Sequence, residues 1–507
     1  RLVSGIPVYE VMTENGVLVL AASVGHDFDL SDRGKFGVVD KTMPVFKILE
    51  NKDKILKALG LQSAETDEVL VATDPDREGE KISFDVTNAN KVFNENIRRI
   101  EFHEISKRAF ENAVKNKREV DSNLVLSQFA RRIADRWIGF GISAHIQEKL
   151  GRKTLSAGRV QTPVLEWIAR RTEKLKEKVW AVKTEICGER LEFAFKEKEE
   201  AEKFLQKKFL TVKKIAERKK EMFVTPFNTS ELLKSASDKL GFSPQKTMKM
   251  AQELFENGFI TYHRTDSIRV SQNGISLAKD YIVSNFGEEY FTPRKFESAG
   301  GAHECIRPVS GISGSEIKTA ALMRGIRISE SYARLYSLIF DRFIASQMRS
   351  AIFVEAEFEI EGIKKSFPVR VDRDGFNLIW KVKVSEIKEG EYEFSGEIFR
   401  KPAVSPYTYA EIINEMREKG IGRPSTYAIT VEKLIRRGYV VQKGNFVFAT
   451  RLGFKVLKLA KESRFAKYVS EEFTAELEKT LDEIAEGVKD YELTIKNLYR
   501  ELFENAL

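Results

Sequence analysis

A multidomain chain of α/β plus α+β class is what the sequence predicts, and three observations carry the prediction. The chain has 507 residues, more than one hydrophobic core supports, so about three or four domains are expected. The segment DEVLVATDPDREGEKISFDV, starting at Asp67, passes from a short β-rich run into an amphipathic helix, the order of an α/β unit. A unit of helix, glycine turn, second helix, glycine cap and strand then occurs twice, around Pro244 and around Pro424.

In the first of these regions Val69, Leu70, Val71 and Ala72 read as a buried strand of the parallel type, and Gly79 opens the helical pattern. Asp74, Asp76 and Glu78 thus sit at the carboxyl end of a strand, where open α/β sheets bind ligands. Carboxylates at alternate positions repel one another unless a cation holds them, and hard oxygen donors suit Mg²⁺. The same residues would equally serve as a solvated acidic turn capping a helix. Further on, QFARRIADRWIGFGIS, from Gln128 to Ser143, has helical periodicity and puts Arg131 and Asp135 on one face, as either a functional pair or a surface ion pair. LSAGRVQTP, from Leu155 to Pro163, supplies small residues around Arg159 and Gln161, whose side chains are of the kind that reach phosphates or base edges.

In the repeat, Pro244 and Pro424 each precede a glycine, Gly258 and Gly438, by 14 residues. Helices are expected over about Ser230 to Leu240 and Tyr409 to Lys419, with a second helix opening near each proline. Helix-turn-helix units with a wing bind nucleic acid in many proteins and are plain scaffolding in many others. The copies differ at one informative place, since Tyr262 in the first falls opposite Gln442 in the second. GFITYHRTDS, from Gly258 to Ser267, reads as a β-strand that points Tyr262 and Arg264 the same way. A phenol with an ordinary pKa of about 10 needs a nearby cation to act as a nucleophile at neutral pH, and Arg264 is placed to supply one or to hold a phosphate. That chemistry suits attack on a phosphodiester; an edge strand with a buried tyrosine and a solvated arginine is the plainer alternative. In GAHECIRP, from Gly301 to Pro308, His303 could donate to a phosphate oxygen and Arg307 could add charge.

Composition narrows the class. Lys and Arg number 84 against 76 Asp and Glu, a net charge of +8 that is compatible with a polyanionic partner. Charged residues form 32% of the chain, a proportion that points to a thermophilic source. Two cysteines without a C-x-x-C exclude a zinc ribbon and a disulfide framework, and cytoplasmic residence is expected. No apolar run reaches the roughly 18 residues of a membrane span. The start at Arg1 suggests a fragment of a longer protein, and no G-x-x-x-x-G-K-[ST] phosphate loop occurs.

Taken in order, GHDFDL from Gly25, ATDPDREGEKI, FHEIS, ARRIADRWIGF, LSAGRVQTP, TPFNTSELL, ITYHRTDS, AHECIRP, GIGRPSTYA and FTAELEKTLDEIAEG resemble the motifs of type IA DNA topoisomerases. TYHRTD and GAHECIRP make the likeness greatest to the topoisomerase half of reverse gyrase. The resemblance implies a toroidal architecture: a Toprim domain over 1–118, a base winged-helix-like domain over 119–178 and 401–507, a β arch over 179–224 and 351–400, and a winged-helix-like domain over 225–350. Alternating patterns in both arch stretches agree with strands.

It further implies that Asp74, Asp76 and Glu78 surround Mg²⁺ and that Tyr262 attacks one DNA strand to leave a 5′-phosphotyrosine. Arg264 would stabilise the scissile phosphate, His303 and Arg131 would support the transition state, and Asp135 would orient Arg131. Ser156, Arg159, Gln161, Arg307, Ser425 and Thr426 would contact DNA. DNA is the expected partner, single-stranded at the cleavage site and duplex in the central hole, with the protein a monomer. The glutamate-bearing first Toprim strand is not found before GIPVYEV at Gly5, which puts cleavage or resealing in doubt. ATP would act only through a helicase-like module absent from this chain, so the chain alone would at most relax negative supercoils. A bacterial-type topoisomerase I, a Toprim nuclease or primase, and a non-enzymatic DNA clamp are the alternatives.

Overall fold

The computed structural model describes residues 1–14, 16–23, 25–297 and 303–504. It divides into two compact units, one of residues 1–164, 416–423 and 454–507, the other of residues 165–415 and 424–453.

In the first unit the expected α/β step is present. Strand Val69–Ala72 leads through helix Arg77–Asn90 to strand Ile97–Ile100, which pairs with it in parallel. Only Val71 of the first strand is fully buried, because just two strands form this sheet. The helix opens at Arg77, two residues before the expected Gly79, because the Asp76 carboxylate caps it by accepting the Gly79 N–H at 2.8 Å. Gly79 is needed for another reason: a Cβ there would lie 1.9 Å from the Asp74 carbonyl oxygen.

Helix Ser122–Leu150 is the spine of this unit. Asp121 caps it, Gly151 ends it at φ +65°, and Ile133, Trp137, Ile138, Ile142 and Ile146 line its buried face. Helices Glu471–Ala485 and Tyr491–Tyr499 pack along it. Trp137 meets Tyr499 edge-on at 5.5 Å and donates its indole N–H to the Lys35 carbonyl.

The second unit contains the arch strands. Lys178–Ile186 pairs with both Glu189–Phe195 and Glu397–Pro402, and Phe209–Met222 lies between Ala351–Ile360 and Gly390–Glu393. Strands from both predicted stretches therefore share sheets, so the chain passes through this region twice. A helix the alternation did not suggest, Lys198–Leu205, sits between two of the strands.

In the same unit, helices Thr229–Leu240, Pro244–Glu256, Gln272–Phe286 and Glu330–Ser346 enclose an apolar core that includes Leu254, Phe255, Phe259, Tyr336, Phe340 and Phe343. The repeat is real at the level of helices and caps: Gly258 and Gly438 adopt φ +69° and +72°. The second copy continues into a wing, strands Val440–Lys443 and Phe446–Ala449 around Gly444. The first copy does not, and the strand expected over Gly258–Ser267 is a correction. That segment is extended, but among the described residues only Ile260 makes a bridge, to Pro308. Among the described residues no return strand follows it in sequence. Its backbone is held instead by distant partners: the Thr261 N–H donates to the Arg307 carbonyl, the Thr229 N–H to the Thr265 carbonyl, and the Val309 N–H to the Phe259 carbonyl.

Candidate active site

The predicted site residues fall in two groups, one in each unit. In the second unit, Tyr262 sets its ring edge-on against Phe255 at 5.3 Å, and Arg264 donates to Gln252 Oε1 at 3.2 Å. Phe255 and Gln252 are three apart on helix Pro244–Glu256, so both side chains address one helix face. The His303 ring lies nearly parallel to Tyr262, with centroids 6.2 Å apart, and the His303 carbonyl accepts from Arg269. Tyr262 is buried, 2% exposed. Gly301 and Ala302 of the predicted GAHECIRP motif lie outside the described residues.

Two neighbours in this group are buried, Arg307 and His263. Arg307 is buried, and its guanidinium is held by Glu304, at 2.9 Å to Oε2 and 2.8 Å to Oε1, and by the Pro308 carbonyl. Burial favours the neutral form of Glu304, but Arg307 outweighs it and holds that carboxyl below its ordinary range. Arg307 therefore braces the segment beside Tyr262. His263, which sequence reasoning passed over, is buried with no hydrogen-bond partner for either ring nitrogen among the described residues. Burial, with Arg264 nearby, pushes its pKa down to about 3.

In the first unit Asp74, Asp76 and Glu78 are half-buried around the helix N-terminus. Asp76 is the cap, and Glu78 Oε1 lies 2.7 Å from His26 Nε2, a partner contributed by the GHDFDL segment. Among the described residues no three His, Cys, Asp or Glu side chains converge into a ready metal cage. The donor type nevertheless fits Mg²⁺, which commonly takes one or two carboxylates and completes its shell with water and substrate phosphate.

Arg159 lies in a buried ion-pair cluster. Expected to reach DNA, its guanidinium is buried between Asp135 Oδ1 at 2.5 Å and Glu478 Oε1 at 2.7 Å. The Asp135 expected to orient Arg131 is 3.9 Å from that residue and much closer to Arg159. Burial acts to raise the Glu478 pKa, but Arg159, Arg131 and Arg423 outweigh it and hold the carboxyl at about 2. Ser156 and Gln161, and in the second unit Ser425 and Thr426, are half-buried. Glu478, Asp482, Arg423 and Arg77 were missed. The signal for two of them was present, since Glu478 and Asp482 are four apart in FTAELEKTLDEIAEG and share a helix face.

Comparison with known proteins identifies the family of the chain. The Toprim domain family matches residues 10–105, and the DNA topoisomerase family matches residues 119–496. The structure of full-length topoisomerase I from Thermotoga maritima matches with a TM-score of 0.78 and 32% identity, over 95% of this chain and 85% of that one. The chain belongs to the type IA DNA topoisomerases, enzymes that act on DNA. Within that class it is similar to reverse gyrases: reverse gyrase 1 of Aquifex aeolicus is 39% identical across 100% of the chain, reverse gyrase 1 of Sulfurisphaera tokodaii 36% across 99%, and that of Pyrococcus furiosus 37% across 98%. These matches span only 46%, 47% and 41% of the relatives, so the chain has less than half their length. Toprim domains generally bind divalent metal ions, and no described helix is long and apolar enough to cross a membrane.

Proposed function

We propose that this chain cleaves one DNA strand through Tyr262 and reseals it after a strand has passed. The observation that carries the reading is the convergence on one helix face of a phenol and a guanidinium, Tyr262 and Arg264, with the His303 ring alongside. The phenolic oxygen attacks phosphorus as its proton leaves, the bond from phosphorus to the 3′ oxygen breaks, and a proton reaches that oxygen to give a free hydroxyl. The product is a 5′-phosphotyrosine, and the reverse attack by the 3′-hydroxyl restores the strand. One phosphodiester replaces another, so neither direction needs ATP. Arg264 compensates the charge on the transferring phosphoryl group, and His303 and Arg131 support the same transition state.

Asp74, Asp76 and Glu78 are the residues that would hold Mg²⁺. When bound, the ion supplies positive charge to phosphate oxygens and fixes their position. Ser156, Gln161, Ser425 and Thr426 are proposed to contact the single strand. In a longer protein with an ATP-driven helicase-like module the same chemistry would serve positive supercoiling, whereas this chain alone would at most relax negative supercoils.

The test is a denaturing gel of the chain with end-labelled single-stranded DNA and Mg²⁺, run beside Tyr262→Phe. A covalent adduct on the 5′ phosphate is expected for the parent and absent in the variant. Cleavage that persists in Tyr262→Phe would instead make this a metal-only Toprim nuclease, and salt-sensitive binding without chemistry would make it a clamp.

A further inference from the structure

On helix Glu471–Ala485 the two acids of the shared face have different partners. Glu478 is committed to Arg159, whereas Asp482 bridges two arginines: Oδ1 accepts from Arg77, and Oδ2 from Arg423 Nη2 at 2.6 Å. Arg423 also approaches Glu478 Oε2 at 3.5 Å. A run of alternating charge therefore leads from the buried Arg159 cluster through Arg423 and Asp482 to Arg77, whose backbone stands between Asp76 and Glu78.

That position makes Arg77 a hazard to its neighbours. A guanidinium tethered between two carboxylates is a cation of high local concentration, able to pair with the oxygens a divalent ion would use. Asp482 gives it another partner and draws it towards Arg423 instead. We propose that Asp482 is a positioning residue that keeps the Arg77 guanidinium off the acidic loop, so that the loop can take a divalent cation. The inference rests on the reading of Asp74, Asp76 and Glu78 as metal ligands.

The experiment uses the full chain without DNA and Mn²⁺ as the probe, with unbound Mn²⁺ counted by its electron paramagnetic resonance signal. Asp482→Asn keeps the shape of the side chain and removes its charge. It is expected to weaken Mn²⁺ binding about five- to tenfold. Arg77→Gln should bind like the parent, and the double variant should return to within about twofold of Arg77→Gln. A purely structural role for Asp482 does not predict that rescue. Parent-like binding by Asp482→Asn, or a double variant as weak as Asp482→Asn, overturns the proposal while leaving the metal reading intact. A parent chain that binds no Mn²⁺, or binds it equally after Asp74→Asn and Asp76→Asn, overturns the metal reading and the proposal with it.

Discussion

Replacing Glu478 by glutamine removes one charge from the buried pair with Arg159, and the structure allows the consequence to be sized in two ways. The Glu478 carboxyl is held at about 2 in the folded chain against an ordinary 4.5, and at about 1.4 kcal/mol per pKa unit that is on the order of 3 kcal/mol of stability at neutral pH. Independently, deleting one partner of a buried ion pair costs about 3–5 kcal/mol, because the other charge is left without compensation. Asp135 still holds Arg159 in the variant, which favours the lower end. The chain has more than one domain and need not unfold in a single step, so the measurement is native-state hydrogen exchange of the amides in helices Ser122–Leu150 and Glu471–Ala485. Protection there should fall by about two orders of magnitude in Glu478→Gln. The pH dependence has a definite sign. A depressed carboxylate contributes fully above about pH 4.5 and loses its contribution as pH falls through about 2, so parent and variant should converge across that window. Protection within about threefold of the parent at pH 7 would refute the assignment of this pair as a brace of the unit.

Other outcomes follow from single contacts. His263 is buried neutral with its pKa near 3, so the folded chain is penalised as pH drops below the ordinary 6.5, where the unfolded chain gains a proton that the folded one does not. Thermal stability of the second unit should fall between about pH 6.5 and 5, His263→Leu should flatten that slope, and a ring proton shift that titrates near 6.5 would contradict it. Gly79→Ala drives a Cβ into the Asp74 carbonyl, so the acidic loop must move; Mn²⁺ binding should be lost while exchange in the second unit is unchanged, and intact binding would show that the loop yields at no cost.

Local patterns in the sequence determined much of this protein. Apolar runs and glycine positions located the strand-to-helix step, the paired helix units and the strands of both arch stretches, because these depend on periodicity and backbone freedom within a few residues. The order of motifs identified the family and singled out Tyr262 with Arg264, a juxtaposition that an extended backbone alone ensures. Tertiary structure decided the rest. Whether Gly258–Ser267 became a strand depended on a partner, and the backbone partners it found came from near Thr229 and from Arg307 and Val309, far along the chain. Charge shows the same division. Arg159 and Arg307 look in sequence like cations for phosphate, but burial requires a carboxylate for each, and only folding brings Glu478 to the first across 319 residues. An arginine's sequence neighbours state what it can bind, and its depth in the fold determines which partner it takes.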